Sequence, residues 1–290
     1  MLGTNVKKMS KNNFIFIEPT LSEIFINGSN ENYPIPLKVT NNSENNIVIN
    51  VSAIDFGTQD NSKGKPILNT KLMDKEAFGV KDFIKFERDV LRVNAGESIT
   101  VNAILENSDQ LFSGGHYGAI LVNIQNEESN EDVIDINYTL SSLLLINKES
   151  NETLKLVLEE ASLNNTVWSL PNSVKLKFSN NNDHHLIPRG VVKIESLFDH
   201  LINKGSINLN SERVLPKTNR EMPTNLQTVA DYWIPGFYKL EVSYRHNASS
   251  KLNNYQKTIF IGWGYYLIFL ACLIALFVIK KRRAAKHTSE

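Results

Sequence analysis

From residue 14 to residue 147 apolar side chains recur at every second position, the period of a strand with one buried face. Phe14-Ile15-Phe16-Ile17 opens the series and Pro19 closes that segment. Residues 36–41 (PLKVTN) alternate and stop at an Asn-Asn-Ser turn. Residues 47–56 place Ile47, Ile49, Val51 and Ala53 on one face, and residues 97–107 do the same with Ile99, Val101, Ala103 and Leu105. Residues 116–125 and 133–146 complete the set. Residues 57–82 break the rhythm with Gly57, Gly64 and Pro66, and read either as a binding loop on the scaffold or as an unstructured insertion. The period of two returns in residues 151–258, at 153–161, 174–179, 190–198, 235–242 and 255–261. Short alternating strands separated by turn residues predict a mainly β chain: two tandem immunoglobulin-like β-sandwiches, 14–147 and 151–258, after a polar segment, 1–13.

The pattern then changes. Residues 259–279, IFIGWGYYLIFLACLIALFVI, hold no charge, and about twenty apolar residues at 1.5 Å rise cross a hydrocarbon core of ~30 Å. Trp263, Tyr265 and Tyr266 stand near one end, where amphipathic rings favour the headgroup zone, and Lys280, Lys281, Arg282 and Arg283 anchor the other. A C-terminal transmembrane helix, 259–279, is therefore expected, with a basic tail, 280–290. Five cations follow the span (Lys286 is the fifth), against Lys251 and Lys257 before it. The positive-inside rule then puts the tail in the cytoplasm and the β domains outside. No export signal is evident in MLGTNVKKMSKNN. Either a signal lies outside this sequence, or the chain is tail-anchored with its domains in the cytoplasm, an arrangement that drags five cations across the membrane.

Composition narrows the classes further. Among 290 residues, 31 cations balance 31 anions, which argues against a nucleic-acid binder. The one cysteine, Cys272, lies in the apolar run, so the β domains must be held by core burial without disulfides. Asparagine clusters at 41–46 and 180–182 fit polar turns.

Two tyrosines stand out. Tyr117, in Ser113-Gly-Gly-His-Tyr-Gly-Ala119, and Tyr238, in Pro235-Gly-Phe-Tyr, each follow glycine at the start of an apolar strand. This is the placing of a tyrosine corner, whose hydroxyl ties a turn to its own backbone. Gly114, Gly115, Gly118 and Gly236 are read as the accompanying turn glycines. His116 and the Asp183-His184-His185 run read as solvated loop residues, because neighbouring histidines on a strand point to opposite faces and cannot share a metal. Nucleophile elbows, zincin helices, phosphate loops and dinucleotide fingerprints are missing. The sequence thus predicts neither an enzyme nor a cofactor or metal, and names no ligand-contact residues.

Taken together, PLKVTNNSENNIVINV, Leu91-Arg-Val-Asn-Ala-Gly-Glu-Ser-Ile-Thr, Gly114-Gly-His-Tyr-Gly-Ala-Ile, Val174-Lys-Leu-Lys-Phe-Ser-Asn and Pro235-Gly-Phe-Tyr, followed by one span and a cationic tail, resemble the WxL-interacting proteins of Gram-positive bacteria. The resemblance implies a membrane-anchored cell-surface scaffold whose first sandwich contacts peptidoglycan or a wall-bound protein and whose second meets a partner. Phe78, Phe83, Phe86 and Phe112 are the aromatics available for a glycan platform, or else core. The alternative is an envelope chaperone or assembly factor that works by β-strand pairing with a surface protein.

Overall fold

The computed structural model describes residues 14–27, 31–58, 63–68, 78–126, 138–164, 166–248 and 250–287. The chain divides into two compact units, Met1–Thr153 and Leu154–Glu290. Each is built of antiparallel-rich sheets around its own apolar core, and one apolar helix ends the chain.

In unit 1, β1 (Ile15–Glu18) pairs with β3 (Tyr33–Asn41), which pairs with β8 (Ser98–Leu105), which pairs with β6 (Ile84–Phe86). The second sheet runs β2 (Leu21–Ile26), β10 (Tyr138–Lys148), β9 (Gly114–Asn126), β4 (Ile47–Thr58), with β5 (Pro66–Leu68) and β7 (Val90–Val93) both on β4. The first strand changes sheets across Pro19: β1 lies antiparallel to β3, while β2 lies parallel to β10. Both sheets feed one core. Ile17, Val39 and Val101 come from one side and Ile49, Ile120 and Leu144 from the other, at alternate positions of strands whose other face is solvated.

Unit 2 repeats the plan. One sheet holds β11 (Leu156–Leu163), β12 (Ser173–Asn180) and β15 (Thr218–Asn225). The other runs β16 (Gln227–Thr228), β14 (Leu201–Ile207), β13 (Arg189–Ser196), β17 (Gly236–Arg245), β18 (Asn253–Ile261). Leu176, Phe178 and Met222 meet Val192, Leu240 and Val242 in its core.

The helix α1 (Trp263–His287) begins four residues later than the apolar run. Ile259 and Ile261 belong to β18, paired with Tyr238 and Gly236, and Ile261 is buried in the unit 2 core. Gly262, with φ 78°, makes the strand-to-helix turn in a region of backbone space that favours glycine. From Trp263 to Lys281 the helix is long and apolar enough to cross a membrane.

Of the two tyrosines, Tyr238 ties back to the turn before it, whereas Tyr117 lies within strand β9. The Tyr238 hydroxyl donates to the carbonyl of Ile234, and the Ile234 N–H donates back to the same oxygen at 3.3 Å. Burial pushes the Tyr238 phenol up, while its bond to Ile234 pulls it down. Tyr238→Phe is expected to lower the stability of unit 2 by about 0.5–1.5 kcal/mol, the net worth of one such tie. Denaturant titration followed by tryptophan emission checks this. An unchanged midpoint would mean that the hydroxyl is structurally idle. Tyr117 is fully buried against Phe56, with its hydroxyl lying over Gly115, where any Cβ would collide with it. Gly114, Gly115 and Gly118 are corrected from turn residues to strand residues: all three lie within β9, and Gly118 is needed for the close approach to Val80 and to the Ile54 carbonyl. Gly236 opens β17, where a Cβ would meet nothing.

Candidate functional site

A sheet edge exposes unpaired N–H and C=O groups and invites another strand, so soluble proteins shorten, charge or block their edges. Unit 1 shows how this is done. On the β1 side of β3 pairing stops at Lys38, which leaves Tyr33–Leu37 without a paired strand there among the described residues. The N–H of Asn41 reaches Glu97 on the β8 side and that of Asn42 reaches Phe14 on the β1 side. Even-numbered positions therefore face outward. The two even positions on the open stretch are Pro34 and Pro36, which have no N–H to offer. The edges β1 and β6 are only four and three residues long.

The upper half of β10 has no such guard. Along its inner flank β10 pairs with β9 from Tyr138 to Lys148. On its outer flank β2 begins only at Leu143, where the Leu143 N–H meets the Thr20 carbonyl and the Ser142 hydroxyl meets the Pro19 carbonyl at 2.7 Å. Odd-numbered positions therefore face outward, and Thr139 and Ser141 present their N–H and C=O groups with no strand hydrogen-bonded to them among the described residues, although β1 passes close to β10. Neither is proline or charged. On the inward face Leu140 is half-buried against the unit 1 core and Tyr138 is exposed. Partial burial raises the Tyr138 phenol above its ordinary value. A strand laid along 138–142 would extend the line of β2, bond to Thr139 and Ser141, and cover Leu140.

The remaining sequence candidates are placed as follows. His116 is corrected from a solvated turn residue to a buried one, 1% exposed, with one ring nitrogen on the Phe112 carbonyl at 2.8 Å and the other near the Gly79 carbonyl. His185 is also buried, its Nε2 accepting from Arg213, while Asp183 pairs with Lys217 at 2.8 Å and the His184 carbonyl takes a bond from Asn180. Thus the 183–185 run is fixed structure and not a solvated loop. No cluster of three metal-ligating side chains occurs among the described residues. Phe78 is buried, Phe83 and Phe86 pack on the core, and Phe112 meets Phe78 and His116 edge-on. They form no open glycan platform. The 57–82 stretch divides: β4 continues to Thr58, β5 folds back on it, and Asp55 accepts the N–H groups of Val80 and Lys81, fixing the segment that precedes β6. Residues 59–62 and 69–77 lie outside the described residues, as do the side chains of Arg282 and Arg283. Trp263, Tyr265 and Tyr266 occupy the first turn of α1, with Lys280 and Lys281 at the far end of its apolar part.

Unit 2 contributes a groove of about 640 Å³ between β14 and β15, with Lys204, Asn208, Glu212, Met222, Thr224 and Gln227 among its lining. The Thr224 hydroxyl there is buried without a hydrogen-bond partner. Exposed Pro223 removes one donor from β15, which disfavours strand pairing along that edge.

No family model matches the chain, and no curated protein matches it. Similar solved structures include the YadV chaperone, at 10% identity and TM-score 0.41, covering 84% of this chain and 99% of that one. The complex of Salmonella enterica SafA pilin with the SafB chaperone matches at 12% identity and TM-score 0.42, covering 85% and 97%. A chaperone–tip adhesin complex of CFA/I fimbriae matches at 11% and 0.45, covering 84% and 98%. All three include a chaperone, in the second bound to a pilin and in the third to a tip adhesin. The expectation of a peptidoglycan-binding scaffold is corrected on the burial of the aromatics that a glycan platform would need, and the similar solved structures are chaperones and not wall-binding proteins.

Proposed function

We propose that the chain is an envelope chaperone or assembly factor that binds a strand of a surface protein along the open edge of β10. The observation that carries this reading is the contrast between edges. Pro34 and Pro36 block β3, whereas Thr139 and Ser141 are left free beside a half-covered leucine. Strand addition draws affinity from main-chain bonds and selectivity from alternate side-chain pockets, and this edge supplies both. The solved structures similar to the chain include chaperones in complex with a pilin and with a tip adhesin. A surface protein is the corresponding partner class here. Each unit is read as an immunoglobulin-like sandwich, and α1 as a single membrane span that carries both units outside the membrane with the basic tail in the cytoplasm.

The test blocks the edge without opening the fold. Ser141→Pro removes an outward N–H that bonds to nothing within the sheet, and leaves the even-numbered bonds to β9 in place. Full-length chain is purified in mild detergent from envelopes of its source cells, and its co-purifying surface protein is quantified. Ser141→Pro is expected to lose at least about tenfold of that partner, the equivalent of ~1.4 kcal/mol, with an unchanged melting temperature. Retention of the partner by a folded Ser141→Pro chain would rule out pairing at this edge.

A further inference from the structure

We propose that unit 2 touches the bilayer with a face of its own, made of three loop tips around the root of α1, and is not merely tethered by the helix. The inference rests on the reading of α1 as a membrane span. Strand pairing locates the face. Ser196, the last residue of β13, lies opposite Tyr238, which lies opposite Ile259, two residues before β18 ends. The β13–β14 hairpin tip, with Leu197 and Phe198, is therefore level with the start of α1. The Gly262 and Gly264 amides donate to the carbonyls of Thr166 and Val167 at 2.7 and 3.0 Å, which brings the loop bearing Trp168 to the same level. The Tyr266 hydroxyl donates to the Pro235 carbonyl at 2.9 Å, which brings in the loop bearing Tyr232 and Ile234 and, at the start of β17, Phe237.

The apolar exposure of unit 2 concentrates at this end. Phe198 is 87% exposed and Ile234 70%, and Trp168, Leu197, Tyr232 and Phe237 are exposed with them. Toward the opposite end the large exposed apolar side chains among the described residues are Leu209, Leu252 and the less exposed Val191. Scattered apolar side chains need no explanation, but a set gathered at one end does. Their chemistry is that of the interfacial zone, with aromatic and aliphatic bodies and tyrosine and tryptophan tips. They are also continuous with the helix. Ring contacts run from Phe237 to Phe260 to Tyr266, and from Trp168 and Trp233 to Tyr265. The carboxylate at the hairpin tip, Asp199, pairs with Lys239 at 3.3 Å, which lowers the cost of bringing it to the headgroups. The occupant is the lipid surface, because the span leaves the unit in the middle of the patch. Any other partner would have to share the space with lipid headgroups.

Three bonds from the root of α1 into two loops, together with lipid contact through a third, would hold unit 2 in one posture on the membrane. The test uses the full chain with Cys272→Ser, which removes the only cysteine. Single cysteines are placed at Phe198→Cys, Ile234→Cys, Leu209→Cys and Ile274→Cys, and labelled with an environment-sensitive fluorophore. All four side chains are exposed, so no core packing is lost, and circular dichroism verifies the fold. The chains are reconstituted in vesicles of phosphatidylcholine and phosphatidylglycerol containing lipids spin-labelled near the headgroup or deeper in the acyl chain. Quenching at 198 and 234 by the shallow label is expected to exceed that at 209 severalfold, with 274 quenched by the deep one. If 274 is quenched while 198 and 234 behave like 209, the lipid-contact face is wrong and the span stands. If 274 is not quenched, the span itself is wrong and this inference falls with it. Equal quenching at 198, 234 and 209 would also overturn it, since it requires the two ends of the unit to differ.

Discussion

Asn180→Ala is expected to destabilise unit 2 by about 3 kcal/mol or more, since several buried groups lose their partners at once and each costs ~1–3 kcal/mol unsatisfied. Asn180 is fully buried at the end of β12. Its amide nitrogen donates to the carbonyls of His184, Val214 and Leu215, and its oxygen accepts from the backbone and side-chain amides of Asn182. Unit 1 has the same clamp. Asn41, fully buried at the end of β3, donates to the carbonyls of Asn45, Val93 and Asn94 and accepts from the amide and hydroxyl of Ser43. In both units the side chain closes its own turn and fixes the entrance of a later segment. An aspartate keeps the acceptor but turns a negative oxygen toward three carbonyls, so Asn180→Asp is expected to be no better than alanine. The two clamps can be read separately, because all three tryptophans (168, 233 and 263) belong to unit 2. Asn180→Ala should shift the tryptophan-reported denaturation midpoint. Asn41→Ala should leave it in place and lower only the transition that far-UV circular dichroism assigns to unit 1. A tryptophan midpoint unmoved by Asn180→Ala would show that the bonds are not holding the fold.

Those clamps show where sequence reading stopped. The Asn-rich runs were legible as turns, because asparagine does favour turns. The signal that one residue of each run is buried is the repeat itself: an apolar residue, a hydroxyl residue and two asparagines close an alternating strand at Val39-Thr40-Asn41-Asn42 and again at Phe178-Ser179-Asn180-Asn181. The strands with four alternating apolar residues, β4 and β8, were legible because one buried face dictates that pattern. β15 was not: in TNREMPTN only Met222 is both apolar and buried, and Pro223 argues against a strand unless the strand is an edge. β14 was hidden in the same way by Asn203, Lys204 and Gly205. His116 looked solvated because a lone histidine on a glycine turn usually is; two backbone carbonyls, one of them 37 residues away in sequence, satisfy it in the core. The candidate edge was least legible of all. Of the alternating segment read at 133–146, residues 133–137 lie outside the described residues and 138–146 fall in β10, but which half of β10 lacks a neighbour depends on where β2 starts to pair, and that is a tertiary fact.

Phe178→Ala is expected to cost about 3–5 kcal/mol, the range for removing a buried aromatic ring and leaving part of its volume empty. The side chain is fully buried two positions before the Asn180 clamp, so both point into the same core from β12. Its ring meets Tyr244 edge-on at 5.3 Å, and the Tyr244 hydroxyl accepts the Leu158 N–H at 3.0 Å. Taking the ring away therefore does more than open a cavity. It frees Tyr244 to lean into the space and release the start of β11, which also depends on Lys155 bonding to Asn182. Phe178→Leu keeps most of the volume and is expected to cost less than about 1.5 kcal/mol. The Phe178→Ala loss should be read by tryptophan emission and be absent from unit 1, where the matching position is the smaller Val39. A loss below about 1 kcal/mol for alanine would mean that the core collapses around the gap. Combining Phe178→Ala with Asn180→Ala should give less than the sum of the two, because both act on the same turn of β12 and share the same neighbours. Strict additivity would show that packing and clamp hold the unit independently.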